Sequence, residues 1–167
     1  ESQFYLRYFN PADMAVSDAA AAQYGPDIYF KSLKSGDIYN QYFAIHKLIT
    51  YYNDAETKQK AIGVIRPFLD SEEENLRQAA SFALSILEDR FDDPHLVKMA
   101  DGSILFSLFP DYSDYGGYHE IYQIKDGVFS SYTAFSAPSM YITQMLPSPD
   151  GKLLTVATCS NKSNYII

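Results

Sequence analysis

The sequence predicts an α+β fold, with helices in the N-terminal part of the chain and an antiparallel β-meander in the C-terminal part. Apolar residues recur at helical spacing through 37–53 and 71–90. Further on, three Asp-Gly pairs separate short apolar runs at spacings of 25 and 24 residues; they are Asp101-Gly102, Asp126-Gly127 and Asp150-Gly151. Asp-Gly between such runs is typical of hairpins, because both residues tolerate the positive φ of a tight turn. We therefore expect a helical domain over 1–91 and a β-domain over 92–167, which form either two small domains or one compact unit.

The first elements are defined mainly by their ends. Phe4–Phe9 is an aromatic-rich lead-in, either a short strand or an extended arm. The Ala-rich run Ala12–Gln23 predicts a helix, which Gly25-Pro26 stops. A shorter helix is predicted from Asp27 to Lys34.

The next two helices are predicted from their apolar stripes. Asp37 is placed to cap a helix whose buried face is Ile38, Tyr42, Ile45, Ile49 and Tyr52. A helix from about Glu56 to Leu69 should bury Ile62, Ile65 and Leu69, with Pro67 causing a kink or an early stop.

The last predicted helix opens with a capping-box spacing between Ser71 and Glu74. Its inward stripe consists of leucines and small alanines that let a neighbouring helix approach closely: Leu76, Ala80, Ala83, Leu84 and Leu87. The triplet Glu72-Glu73-Glu74 places favourable negative charge at the start of this helix.

Residues 57–90 resemble a HEAT repeat. The resemblance is carried by Ile65-Arg66-Pro67-Phe68-Leu69-Asp70, then Leu76-Arg77-Gln78-Ala79-Ala80, then Ala83-Leu84 and Leu87. The helix over 37–53 would be the second helix of a preceding, degenerate repeat. HEAT arrays are solenoids that act as binding scaffolds, so the resemblance implies a scaffolding role.

Seven β-runs follow the break at Asp92-Asp93-Pro94. They are His95–Ala100, Ser103–Phe109, Tyr118–Lys125, Val128–Phe135, Met140–Leu146, Lys152–Cys159 and Tyr165–Ile167. Long or short loops at 110–117, 136–139 and 160–164 join the runs that the Asp-Gly turns do not.

The run Pro147-Ser148-Pro149-Asp150-Gly151-Lys152-Leu153-Leu154 resembles the turn between the first two strands of β-propeller blades of the Tol-type and tryptophan–aspartate-repeat kinds. Met99–Ser103 would be the same turn 49 residues earlier, and Asp126-Gly127 the turn between third and fourth strands. The resemblance implies one four-stranded blade over 95–135 and half of a second over 140–167. Because a propeller needs at least four blades, the chain is then either a fragment of a longer protein or a single seven-stranded meander covered by the helices.

Charge and composition exclude several classes of function. The net charge of −8 is shared equally between 1–91 and 92–167, and no Lys/Arg cluster is visible, so neither nucleic acid nor an anionic membrane is an expected partner. No apolar run is long enough to span a membrane.

Cys159 is the only cysteine, which excludes internal disulfides and cysteine-based metal sites, and its apolar run favours a buried, inert thiol. No signal peptide is visible, and the start at Glu1 instead of Met suggests a processed product. Fifteen tyrosines without tryptophan favour, on composition alone, an extracytoplasmic bacterial protein.

One loop gathers candidate ligand-binding groups around two glycines, Gly116 and Gly117. The candidates are Asp111, Tyr112, Asp114, Tyr115, Tyr118, His119 and Glu120. Tyrosines could stack on a sugar or peptide while the carboxylates hydrogen-bond to it; the simpler interpretation is a solvated hairpin loop. No catalytic, metal or cofactor motif is present. His46 is expected as an interface residue, and His95 as a helix-capping residue.

The expected function is therefore non-enzymatic binding or scaffolding. Its partner would be a protein, held by the helical face or by the edge strand Tyr165–Ile167, through which the chain could also self-associate. The alternative is an enzyme or enzyme accessory acting on glycan or peptide through loop 111–120.

Overall fold

A computed structural model describes residues 19, 22–92, 95–107, 119–135, 140–159 and 164–166. It confirms the α+β class, with helices in the N-terminal part and antiparallel strands in the C-terminal part. The described residues up to Arg90 belong to one compact unit and those from Phe91 onward to another. We refer to these as the helical unit and the β-unit.

The helical unit contains four described α-helices: α1 (Asp27–Leu33), α2 (Ile38–Leu48), α3 (Ala55–Ile65) and α4 (Glu74–Leu87). Two 3₁₀ helices, Ile49–Tyr51 and Arg66–Asp70, extend α2 and α3. Asp37 caps α2 by accepting a hydrogen bond from the backbone N–H of Asn40 at 2.8 Å. Asp54 does the same for α3, accepting from Glu56 and Thr57. The helical residues 22–24 are followed by Gly25, whose φ of +70° does not fit an α-helix.

The predicted stripes of α2 and α4 form the core of this unit. Tyr42, Ile45, Ile49 and Tyr52 are buried, and Ile38 is half-buried. All five predicted inward residues of α4 are buried, Ala80 and Ala83 completely. Helix α4 packs against both α2 and α3, as expected where small residues allow close approach.

Pro67 ends α3 early, and one residue of the predicted stripe is wrong as a result. The α-helix stops at Ile65 and continues as the 3₁₀ helix. Ile65 is fully buried and Ile62 half-buried, but Leu69 is 39% exposed. A 3₁₀ helix has 3.0 residues per turn, so Leu69 is rotated away from the face that it would share with Ile65 in an α-helix.

The predicted capping box of α4 is also wrong. The helix begins at Glu74, its N-cap residue is Glu73, and no side chain caps it. The hydroxyl of Ser71 accepts a hydrogen bond from the N–H of Glu73 instead. Ser71 is the C-cap of the preceding 3₁₀ helix and lies before Glu73, so it is not the N-cap of α4.

The β-unit consists of two antiparallel sheets in chain order. The first has the order β1 (Leu96–Lys98), β2 (Ile104–Ser107), β3 (His119–Lys125) and β4 (Val128–Phe135). The second has the order β5 (Met140–Pro147), β6 (Leu153–Cys159) and β7 (Asn164–Ile166). The described strands therefore form a four-stranded sheet that ends with β4 and a three-stranded sheet that begins with β5. They do not form a single seven-stranded meander.

The three Asp-Gly turns are of two kinds. Asp126 and Gly127 both have positive φ, 51° and 78°, and join directly paired residues of β3 and β4, which is a type I′ turn. At the other two turns only the glycine has positive φ, 82° at Gly102 and 80° at Gly151. In these turns the glycine N–H donates to the carbonyl of the residue three positions earlier, Gly102 to Met99 and Gly151 to Ser148. The N–H of that earlier residue donates in turn to the carbonyl of the residue after the glycine, Met99 to Ser103 and Ser148 to Lys152.

The β1–β2 and β5–β6 hairpins repeat each other at an offset of 49 residues. In the first, Lys98 pairs with Ile104 and Leu96 with Phe106. In the second, Pro147 pairs with Leu153 and Met145 with Thr155. Turn geometry and strand register are thus the same in both.

Both faces of the first sheet carry buried residues, although Val128 and Tyr132 of β4 are exposed. One packs with the second sheet in a cluster that joins Val97, Met99, Leu105 and Ile121 to Met145 of β5. The other carries an aromatic cluster of Phe106, Tyr122 and Phe129, with ring centroids 5.3–5.7 Å apart.

Candidate functional site

Most of the loop predicted as a ligand site lies outside the described residues. This applies to Asp111, Tyr112, Asp114, Tyr115 and Tyr118. His119 and Glu120 are the first residues of β3, where their backbones pair with Phe135 and Ala134. A glycan- or peptide-directed role of this loop, enzymatic or not, therefore stays a prediction.

An open groove of about 360 Å³ lies in the helical unit, between α3 and the residues that end α4. Its lining combines apolar and charged side chains: Lys58, Gln59, Ile62, Arg66, Leu87, Glu88 and Asp89. Leu87 is fully buried and Ile62 half-buried, whereas Arg66 and Asp89 are exposed. Ile62 is thus the apolar lining residue that reaches solvent, and it lies among charged side chains.

The charged side of the groove is shaped by the way α4 ends. Asp89 has a φ of +55°, and its N–H donates to the carbonyl of Ile86 at 3.1 Å. The N–H of Arg90 donates to the carbonyl of Ser85 at 2.8 Å. This pair of bonds is a Schellman motif with aspartate at the left-handed position that glycine usually takes. It turns the chain sharply and places Glu88, Asp89 and Arg90 together at the helix end.

Ion pairs connect this helix end to α3 and to the 3₁₀ helix after it. Lys58 Nζ lies 2.7 Å from Asp89 Oδ2. One carboxylate oxygen of Glu88 accepts a hydrogen bond from Arg66 Nη2, and the other lies 3.0 Å from Arg90 Nε in an ion pair. Glu88 therefore bridges two guanidinium groups. Exposed pairs of this kind contribute about 0–1 kcal/mol each to stability, so they orient the side chains more than they hold the fold together.

Neither of the two described histidines with a known environment forms a ligand cluster. His46 is buried, with its ring centroid 4.4 Å from that of Tyr42 and 6.2 Å from that of Phe82. Burial lowers its pKa to about 3, so the imidazole is neutral. The capping role predicted for His95 is wrong, because His95 comes directly before β1, well beyond the end of α4. Its Nδ1 lies 3.2 Å from Ser107 Oγ, which ties the start of β1 to the end of β2.

The described ranges contain neither a metal-binding cluster nor a membrane-spanning helix. No group of three or more His, Cys, Asp or Glu side chains there is arranged to hold a metal ion. No described helix has the length and apolar character needed to cross a membrane.

Comparison with protein-family models, with curated proteins and with solved structures finds no match for this chain. The HEAT-like and propeller-like interpretations therefore remain predictions.

The groove was not predicted from the sequence. Lys58 and Asp89 are 31 residues apart, and Arg66 and Glu88 are 22 apart. Local sequence patterns do not predict contacts between residues so far apart in the chain. The packing of α3 on α4 brings these charges together. The one local feature available was the charged run Glu88-Asp89-Arg90 directly after an apolar helix stripe.

Proposed function

We propose that this protein is a non-enzymatic binding module whose helical unit holds a peptide segment of a partner protein in the α3–α4 groove. The observation that carries this proposal is the open groove in which the half-buried side chain of Ile62 lies among charged side chains. Protein interfaces have the same arrangement, an apolar centre surrounded by a polar margin. The groove is open to solvent, which suits a peptide segment better than an enclosed small molecule.

The groove is lined by regular elements and their caps, which favours a preorganised surface. Lys58, Gln59 and Ile62 lie within one turn of α3, whose start Asp54 caps. Leu87 ends α4, and the Schellman motif orders the three residues that follow it. A surface that is already ordered loses little conformational entropy on binding. The HEAT-like pattern of the same segment implies a scaffold as well.

The alternative, binding of a partner protein by pairing with an edge strand, has less structural support. β1 and β7 are three residues long, so each offers few backbone groups to a partner strand. In β4 the register shifts so that Tyr132 is an extra residue, and in β5 Thr143 is an extra residue. Short edge strands and β-bulges are two of the ways in which proteins prevent edge-to-edge pairing.

A peptide library displayed on phage tests the proposal through the shape of the groove. Gln59→Trp places a bulky, uncharged side chain in the groove, and Gln78→Trp makes the same change at an exposed position of α4 that does not line it. We expect peptides selected on the wild-type protein to lose binding to Gln59→Trp and to keep it with Gln78→Trp. Equal loss with both variants, or no selected peptide that depends on Gln59, would overturn the proposal. Thermal midpoints of both variants check that the fold is kept.

A further inference from the structure

The three Asp-Gly pairs place one reactive dipeptide in different surroundings. An aspartate carboxyl group can be attacked by the amide nitrogen of the next residue, and glycine favours this reaction because it has no Cβ to shield that nitrogen. The reaction needs an amide nitrogen that is not engaged in a hydrogen bond and a carboxyl group that can take up a proton. The turns differ in both respects, so the folded chain contains its own comparison.

At Asp126-Gly127 both reacting groups are exposed. Lys125 and Val128 form the closing pair of this type I′ turn, and the N–H of Gly127 donates to no carbonyl among the described residues. The Asp126 carboxylate likewise accepts no hydrogen bond from a side chain in those residues. The ammonium group of its neighbour Lys125 is bonded to Asp101 instead. Nitrogen and carboxylate are therefore both available for reaction.

At Asp101-Gly102 both groups are engaged. The N–H of Gly102 donates to the carbonyl of Met99 at 2.9 Å. Lys125 holds one carboxylate oxygen of Asp101, and Ser103 holds the other. These bonds favour the ionised form and keep the pKa of Asp101 well below its ordinary value. Because an ionised carboxylate does not lose an oxygen as water, this pair is protected at the carboxyl group as well as at the nitrogen.

The turn at Asp150-Gly151 repeats this protection. The N–H of Gly151 donates to the carbonyl of Ser148 at 3.0 Å. Lys152 Nζ lies 2.8 Å from Asp150 Oδ2, and the hydroxyl of Ser148 donates to Oδ1. These two partners, first Lys152 and then Ser148, lower the pKa of Asp150. The shared backbone of the two turns thus engages the same two reacting groups.

We propose that Asp126-Gly127 is a site of spontaneous modification, at which aspartate isomerises to isoaspartate through a succinimide, and that hydrogen bonds suppress this reaction at the other two Asp-Gly turns. The Gly127 nitrogen forms a bond to Asp126 Cγ, its proton passes to solvent, and the protonated carboxyl group loses one oxygen as water. Water then opens the ring. Attack at Cγ restores aspartate, whereas attack at the main-chain carbonyl breaks its bond to nitrogen, and the chain then runs through Cβ and Cγ. The water lost equals the water gained, so water is the only co-reactant.

The end of this hairpin can open to let the ring close. Val128 is 57% exposed, and β4 is the last strand in the order of its sheet, so little packing opposes loss of the closing pair. Isoaspartate adds a backbone atom to a two-residue turn, which no longer fits the type I′ geometry. Because Lys125 also bonds to Asp101, the change at Asp126 would loosen a second turn. This modification is independent of peptide binding in the groove.

Prolonged incubation of the intact protein in near-neutral buffer, made with water enriched in a heavy oxygen isotope, tests the proposal. Chymotryptic peptides that carry each pair are separated by chromatography, and electron-transfer fragmentation locates isoaspartate; each ring opening also incorporates the heavy isotope. We expect isoaspartate to accumulate about tenfold faster at 126 than at 101 or 150. The control is the same chain unfolded in urea, in which the turn hydrogen bonds are lost and the rates at all three pairs should be similar.

Two variants separate protection by the fold from the reactivity of the dipeptide. Lys152→Gln removes a partner of Asp150 at a side chain that is 81% exposed, and should raise the rate at 150 by about threefold without changing the rate at 126. Asp126→Glu should abolish the reaction at 126, because glutamate would have to close a larger ring. Thermal midpoints check that both variants keep the fold. Equal rates at the three pairs in the folded protein, a preference for 126 that persists in urea, or no rise at 150 in Lys152→Gln would overturn the inference.

Discussion

Lys125 Nζ donates a hydrogen bond to Asp101 Oδ2 at 2.8 Å, which joins the residue before one Asp-Gly turn to the aspartate of another. The other oxygen of Asp101 accepts from Ser103, from its N–H at 3.0 Å and from its hydroxyl at 2.7 Å. These bonds, first that from Lys125 and then those from Ser103, hold the pKa of Asp101 well below its ordinary value of 3.8. The two turns are thus fastened together by one carboxylate.

Acid should loosen this connection. A carboxyl group whose pKa is lower in the folded state stabilises the fold above its unfolded pKa, and the stabilisation is lost as pH falls through the folded pKa. We expect Asp101→Asn to lower the thermal midpoint near neutral pH, and the gap to the wild-type protein to close on acidification from about pH 4 downward. Circular dichroism melts over this range measure it. A gap that does not change with pH would contradict the assignment.

The turn glycines should respond to alanine in the opposite way to a helix glycine. Gly102 and Gly151 have φ near +80°, and a Cβ at either position would meet no atom within 4 Å. The cost of Gly102→Ala or Gly151→Ala is therefore conformational, about 1–2 kcal/mol. Gly63→Ala in α3, where the added Cβ is equally free, should stabilise by about 0.5–1 kcal/mol. Urea titration of the three variants measures the free energies of unfolding; the same sign at all three positions would refute the backbone assignment.

His46 should make the helical unit sensitive to mild acid. Its pKa is about 3 when folded and about 6.5 when unfolded, so the unfolded state gains a proton that the folded state does not. Stability conferred by the neutral ring is full above the unfolded pKa and is lost progressively below it. We expect the thermal midpoint to fall between about pH 6.5 and about pH 5, where carboxylates stay ionised. His46→Phe, which keeps a ring beside Tyr42 and Phe82, should remove most of this slope; an unchanged slope would assign it to other groups.

Leu84 and Leu69 test the two outcomes of the apolar-stripe prediction. Leu84 is 1% exposed, so Leu84→Ala should cost about 2–5 kcal/mol by leaving a cavity. Leu69 is 39% exposed, and the same substitution there should change stability by no more than about 0.5 kcal/mol. Chemical denaturation of both variants gives the comparison. A near-neutral Leu84→Ala would show that α4 does not bury this face.

Features set by neighbouring residues could be predicted from the sequence, and features set by packing could not. The Asp-Gly turns were predicted because Gly102, Gly127 and Gly151 act through their own φ angles. Leu69 was placed wrongly because Pro67 changes the residues per turn, which a fixed 3.6-residue period does not include. The sequence left the two-sheet division open, because no local pattern shows whether β4 pairs with β5. The groove was missed altogether, since Arg66 meets Glu88 only after α3 and α4 have packed.

The β1–β2 and β5–β6 hairpins have the same register and the same turn backbone, so the tip of one turn can be exchanged for that of the other. Because the two turns have the same backbone and begin from equivalent strand pairs, we expect the exposed tip residues 149–151 to be transplantable onto positions 100–102, whereas Met99 and Ser103 beside them are buried and must be kept. The chain thus offers two equivalent grafting positions, and a loop engineered at one can be copied to the other. A protein that displays the same foreign epitope twice would follow from that symmetry.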